Sequence, residues 1–230
     1  MPSDNNNIEF STVLASAAHD MKNSLAMLLG SLTEITSQCD PSTCPAHNKF
    51  RRLQHETQRV NRDLVLLLTL YKMEQGQYFF NVDEVNLNNY LDEIIIEYKE
   101  LLQEYGISIS FQCEEDLIGY FDPNLISSVI KTIITNAYQY TKDNILISAK
   151  LIDGYVNINV IDNGPGYPQD LIYHEGIQRS GINFNTGSTG LGLYFSEKVA
   201  ELHKTKNKTG YIQLKNQADM AGGCFSIYLP

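Results

Sequence analysis

The stretch Asp162-Asn163-Gly164-Pro165-Gly166 decides how the second half of this chain reads. It directly follows residues 155–161, an apolar run rich in β-branched side chains, so it marks the end of a strand. Its two glycines permit positive φ and let a ligand come close to the backbone. A carboxylate at the end of a strand can accept a hydrogen bond from an adenine amino group. The same five residues also suit a tight turn, so both readings of Asp162, Gly164 and Gly166 stand at this point.

Upstream, residues 145–151 form a second β-rich run, joined to the first through Asp153-Gly154, a hairpin signal. Before it, Asp122-Pro123 reads as an N-cap followed by proline at the first helical position. The helix it opens carries Ile126, Val129, Ile130, Ile133, Ile134 and Ala137 on one face. Asn136 comes late in that helix, close to the buried face, where an amide needs partners. Either Mg²⁺ or the core supplies them.

Downstream, Gly187-Ser188-Thr189-Gly190-Leu191-Gly192-Leu193 precedes and opens a helix over residues 191–203. Glycines there, Gly190 and Gly192 among them, expose backbone N–H groups to phosphate. The stretch has neither the P-loop lysine nor the Rossmann spacing. Residues 167–186 have mixed composition and read as a lid. A helix over 87–105 ending at Gly106, strands at 107–111 and 118–121, and closing strands near 211–215 and 224–229 complete the region. Grouped strands with separate helices predict an α+β two-layer sandwich, a mixed sheet with helices on one face.

Residues 1–80 follow a different period. Phe10, Val13, Leu14, Ala17, Met21, Leu25, Leu28, Leu32 and Ile35 recur at three- and four-residue steps and predict a helix over 8–37. Residues 38–48 read as a loop. Phe50, Leu53, Thr57, Val60, Leu64, Leu67 and Tyr71 form a coiled-coil seam on a second helix over 49–75, which Gly76 stops. Two long helices joined by a short loop predict an all-α hairpin. Alone it leaves apolar faces bare, so two copies forming a four-helix bundle, a homodimer, are expected.

His19-Asp20-Met21-Lys22-Asn23 places an imidazole, a carboxylate and an amide within two turns of the first helix. At about 100° per residue, His19 lies about 180° from Leu28, away from the apolar stripe, and Asn23 follows one turn on. His19 reads as a phosphoryl acceptor, and the glycine-rich pocket downstream as the source of ATP.

The net charge of −10, concentrated after residue 80, argues against nucleic acid or an anionic membrane as partner and places a domain boundary near 80. No apolar run approaches the ~20 residues that span a bilayer. The polar start has no signal-peptide pattern, so a cytoplasmic chain is expected. Cys39, Cys44 and His47 lie in a Pro-containing stretch with no fourth zinc ligand, and read as a plain cytosolic loop rather than a metal or redox site.

Together these motifs resemble the core of a bacterial two-component sensor histidine kinase, over nearly the whole chain. His19–Asn23 looks like its H-box, and residues 70–76 are similar to the end of its second dimerisation helix. Residues 133–141 resemble its N-box, Asp162–Gly166 and residues 188–193 its two glycine boxes, and residues 223–230 its closing strand. The resemblance implies a dimerisation and histidine-phosphotransfer hairpin over residues 1–80. A catalytic ATP-binding domain of the gyrase/MutL-type fold would follow over 81–230.

It further implies that His19 attacks the γ-phosphoryl of ATP, that Asp20 takes up the ring proton, and that Asn136 holds Mg²⁺. Asp162 would hold the adenine amino group, while Gly164, Gly166, Gly190 and Gly192 shape pocket and lid. The phosphoryl group would pass to an aspartate in the receiver domain of a response regulator, and Asn23 implies phosphatase activity. The input would come from a separate sensor partner, or the chain is the core of a longer protein. Thr132 stands where the N-box often opens with Asn, Gln139 where a cation often neutralises phosphate, and the Phe-rich lid box is not clear around residues 173–175. A degenerate kinase, a dimeric module that binds a regulator or another kinase without catalysis, is the alternative.

Overall fold

The computed structural model describes residues 5–39, 44, 46–172, 190–217 and 222–230, without the side chains of residues 5–15, 19, 48 and 170. The His19 side chain, residues 173–189 and with them most of the expected lid and the start of the second glycine box lie outside this description. The chain divides into two compact units, Met1–Tyr78 and Phe79–Pro230.

The first unit holds α1 (Asn5–Gln38) and α2 (His47–Glu74), which pack against each other. Ala18 and Leu32 of α1, and Thr57, Leu66 and Leu70 of α2, are buried, and Gln54 Nε2 donates to Thr33 Oγ1 at 3.0 Å. The stripes picked out from the periodicity lie partly elsewhere. Met21, Leu28 and Ile35, and Leu53, Val60 and Leu67, remain about half exposed. Each helix thus carries two apolar lines, one meeting its neighbour and one bare. After α2, Gly76 takes φ +65°, and the amides of Gln77 and Tyr78 both donate to Lys72 O.

The plain-loop reading of Cys39 and Cys44 is corrected. The two form a disulfide with their Cα atoms 5.6 Å apart, within ordinary bridging range, and His47 Nδ1 lies 2.8 Å from Cys39 O. Among the described residues Cys113 and Cys224 are free, and there is no cluster of three or more candidate metal ligands.

The second unit is a mixed sheet with helices against one face. Its elements are β1 (Asp83–Asn86), α3 (Leu87–Glu104), β2 (Ser108–Gln112), β3 (Ile118–Phe121), α4 (Pro123–Tyr140), β4 (Asn144–Ile152), β5 (Tyr155–Asp162), α5 (Gln169–Ile172), α6 (Leu191–Leu202), β6 (Tyr211–Asn216) and β7 (Gly223–Leu229). Five strands run in the order β2-β4-β5-β7-β6, with only the β2–β4 pair parallel. Alternation sends Ile145, Ile147, Val156, Ile158, Val160, Phe225 and Ile227 into the core against Ile126, Ile130, Ile133, Phe195 and Val199 of α4 and α6. Residues 77–86 have no clear period and read from the sequence as a short connector, yet 83–86 form a strand. They pair antiparallel with β3, because Asp83–Asn86 meets Phe121–Ile118 in a separate two-stranded sheet. No helix among the described residues is long and apolar enough to cross a membrane.

Candidate functional site

α4 is set by its cap. Asp122 Oδ1 accepts from the amides of Asn124 and Leu125, both at 3.0 Å, and Pro123 fills the first helical position. That phase buries Ile126, Ile130, Ile133 and Ile134, and brings Thr132 and Asn136, one turn apart, to the line where α6 begins. Thr132 is 3% exposed and Asn136 is half-buried. The Asn136 side chain makes no hydrogen bond among the described residues.

α6 starts at Gly190, which is exposed and left-handed at φ +63°. Gly192, two residues on, lies directly on α4. A Cβ there would sit 2.7 Å from Thr132 Cγ2 and 3.6 Å from Asn136 Nδ2. The first turn of α6 therefore touches the Asn136 end of α4 only because residue 192 has no side chain. This accounts for Thr132 as well: a longer side chain in place of its methyl group would collide with the α6 backbone.

Asp162 closes β5 and is 8% exposed. Its Oδ1 accepts from Gly164 N at 2.8 Å and from Gly223 N at 3.4 Å. Its Oδ2 accepts nothing among the described residues, and a Cβ on Gly223 would lie 2.8 Å from it. One oxygen is thus fixed by backbone amides, and the other is left to receive a donor. The open Asn136 amide and this second oxygen fit the groups expected of them, a Mg²⁺–phosphate cluster and an amino group.

The loop after Asp162 is held from three sides. A Cβ on Gly164 would strike Tyr140 O at the end of α4. Asn163 Oδ1 accepts from Thr141 Oγ1 and from the amides of Lys142, Asp143 and Asn144, all between 2.9 and 3.2 Å. Gly166 takes φ +79°, and a Cβ there would meet Asn216 Oδ1 at 2.6 Å. Asn216 in turn accepts from Tyr167 N at 2.7 Å and donates to Tyr167 O at 2.8 Å. The Tyr167 hydroxyl is pushed well above its ordinary pKa, first by burial and then by the neighbouring Asp162 charge.

Asn136, Asp162, Gly164, Gly166, Gly190 and Gly192 therefore belong to the second unit, around the C-terminal end of α4, the N-terminus of α6 and the end of β5. His19, Asp20 and Asn23 lie on α1 of the first unit, where Asp20 and Asn23 are exposed. Asn163 lies within the stretch read as the first glycine box, without a role of its own, whereas Asn216, Gly222 and Gly223 are not legible in the sequence as parts of the site. Gly222 lacks a Cβ because one would collide with Asp162 O. The paired glycines before the last strand were the one available signal. Gln139 is exposed, as is Lys142.

Comparison with known proteins gives a family to this geometry. Residues 121–230 match the family described as histidine kinase-, DNA gyrase B-, and HSP90-like ATPase. Histidine kinase P4 of Formosa agariphila is 25% identical over 93% of this chain and 16% of its own length. Sensor histidine kinase TmoS of Ectopseudomonas mendocina is 27% identical over 96% of this chain and 23% of its own. The adaptive-response sensory kinase SasA of Crocosphaera subtropica is 28% identical over 95% of this chain and 58% of its own. The chain thus spans less than two thirds of the length of each of these relatives.

Among solved structures, the catalytic domain of histidine kinase ThkA is 27% identical, with a TM-score of 0.55, covering 65% of this chain and 97% of that one. Acinetobacter baumannii histidine kinase AdeS shares the fold at 19% identity and a TM-score of 0.60, over 90% of this chain and 95% of that one. The matches agree: residues 121–230 form a histidine kinase-, DNA gyrase B- and HSP90-like ATPase domain, and the relatives aligned over nearly the whole chain are histidine and sensory kinases.

Proposed function

We propose that this chain is an ATP-dependent protein-histidine kinase that phosphorylates itself on His19 and passes the phosphoryl group to an aspartate of a response-regulator receiver domain. The observation that carries this is the contact of Gly192 with Thr132 and Asn136, which sets a glycine-opened helix N-terminus beside an open amide. Asp162 would take the adenine amino group on Oδ2, with Oδ1 held by Gly164 and Gly223. Asn136 would hold Mg²⁺, which when bound neutralises charge on the phosphates.

Catalysis by this chain's own residues is then positioning. A neutral His19 attacks the γ-phosphorus, the bond to the β–γ bridging oxygen breaks, ADP leaves, and Asp20 accepts the ring proton. The exposed Asn23, one turn along α1, would orient the water that hydrolyses the regulator's phosphoaspartate. We read residues 1–80 as the dimerisation and phosphotransfer hairpin and residues 81–230 as the ATP-binding domain. The bare apolar lines on α1 and α2 support a homodimer whose four helices cover them.

The exposed, uncharged Gln139 favours a second reading, a dimer that binds a regulator without catalysis. Incubation with γ-labelled ATP and Mg²⁺ separates the two. The kinase reading expects acid-labile, alkali-stable label that is absent in His19→Ala and leaves the protein when a receiver domain from the same organism is added. ATP binding without label supports the second reading. Steady ATP turnover unaffected by His19→Ala contradicts both.

A further inference from the structure

The helices that carry Asn136 and Gly192 meet again at their other ends. There His203, 3% exposed, caps the C-terminus of α6, and Asp122 caps the N-terminus of α4. His203 Nδ1 lies 2.7 Å from Val199 O, which can only accept, so Nδ1 carries the proton. His203 Nε2 accepts from the amide of Asp122 at 2.9 Å. These partners fix one neutral tautomer, and burial, the largest influence on the ring, lowers its pKa in keeping with that.

The chain entering the second unit is fastened to this junction. Asn81 N donates to Asp122 Oδ2 at 3.1 Å, using the carboxylate oxygen that the α4 cap leaves over. The Phe80 ring stands edge-on to His203, with centroids 4.9 Å apart and planes at 77°. The Asn81 side chain donates to both Asp83 oxygens at 2.9 Å, which leads directly into β1. Upstream, Gln77 and Tyr78 are still bonded to Lys72 O, and Phe79, 87% exposed, stands between the two sets of anchors. Beside this contact lies a partly open pocket of about 130 Å³, lined by Phe80, Val82, Tyr120, His203, Lys204, Thr205 and Pro230.

We propose that Phe80 and Asn81 form a latch that pins the connector to the shared base of α4 and α6, and that they act as positioning residues for phosphoryl transfer from the ATP pocket to His19. This rests on the kinase reading. Latched, the free connector is Phe79 alone. Released, it runs to β1 and gains three residues, about 10 Å of reach at most. Loosening a tether of this kind dilutes productive encounters and degrades alignment without touching the nucleotide pocket.

Two measurements on the full chain test this. Amide exchange by NMR should show Asn81 N–H protected in the wild type, and at least about tenfold less protected in Phe80→Ala. An Asn81 amide that exchanges at the unstructured rate in the wild type overturns the latch, whether or not the protein is a kinase. In the labelling assay, Phe80→Ala should lower the rate of His19 phosphorylation at saturating ATP on the order of tenfold. ATP affinity should stay unchanged, the melting temperature should fall by no more than about 6 °C, and Phe80→Leu should restore most of the rate. An unchanged rate overturns the positioning role, as does a parallel loss of ATP affinity and stability. A wild type that never labels His19 refutes the kinase reading and the positioning role with it, while the exchange result still decides the latch.

Discussion

Gly192→Ala probes the contact on which the nucleotide site turns. The added methyl would sit 2.7 Å from Thr132 Cγ2, whereas carbon atoms rest about 3.5–4.0 Å apart, so something must move by about 1 Å. Thr132 is walled in by the α4 core and cannot swing aside, so α6 gives way and its first turn draws off Asn136. Overpacking of this sort costs about 1–3 kcal/mol, and the better helix propensity of alanine offsets up to about 1 kcal/mol. A net loss of about 0–3 kcal/mol follows, and at about 2–4 °C per kcal/mol the melting temperature drops by no more than about 12 °C.

ATP affinity should fall about tenfold as well, since about 1.4 kcal/mol of binding accompanies loss of the Asn136–α6 register. Thr132→Ser removes the offending methyl group. The double variant should recover both quantities, with a coupling of at least about 0.5 kcal/mol in a thermal-melt and calorimetric cycle. Strictly additive effects, or wild-type ATP affinity in Gly192→Ala alone, would refute the reasoning.

Three further outcomes are expected. Asp162→Asn should keep the loop, because its carbonyl can still accept from Gly164 and Gly223, but it turns a donor toward the place where the proposed function seats the adenine amino group. Losing a hydrogen bond to a charged acceptor, worth about 1.5–3 kcal/mol, should weaken ATP binding by about 10- to 150-fold in calorimetry. His203 has a lowered pKa when folded, so the unfolded chain takes up the extra proton. Its contribution to stability is whole above the ordinary value of about 6.5 and is lost as pH falls from there toward the folded value. Wild-type melting temperature should therefore decline across this range more steeply than that of His203→Gln. Alkylation after denaturation without reductant should modify Cys113 and Cys224 only, and all four cysteines after reduction; four reactive thiols at the outset would exclude the Cys39–Cys44 bond.

Much of the architecture is legible where one residue type answers a local need. Asp122-Pro123 announces α4, Gly76 stops α2, Asp153-Gly154 turns the β4–β5 hairpin, and the glycines after β5 mark the pocket. The pieces that stay hidden depend on partners far along the chain. β1 has no period of its own and is a strand only because β3 lies beside it. Asn163, Asn216, Gly222 and Gly223 act through contacts with residues about 20 to 60 positions away, which no window of sequence joins. Thr132 reads as a departure from a motif, yet its methyl group is what Gly192 accommodates. On α1 and α2, two apolar lines share each helix, so periodicity alone did not separate the line that meets the neighbour from the bare one.

The central claim is directional: a pocket built around Asn136, Asp162 and Gly192 phosphorylates His19. Peptide mapping under alkaline conditions, after incubation with Mg²⁺ and saturating ATP, tests it most directly. The expected result is phosphate on the peptide containing His19 in the wild type, and none in Asn136→Ala. Phosphate on another residue, or equal labelling of His19 in Asn136→Ala, would contradict the account.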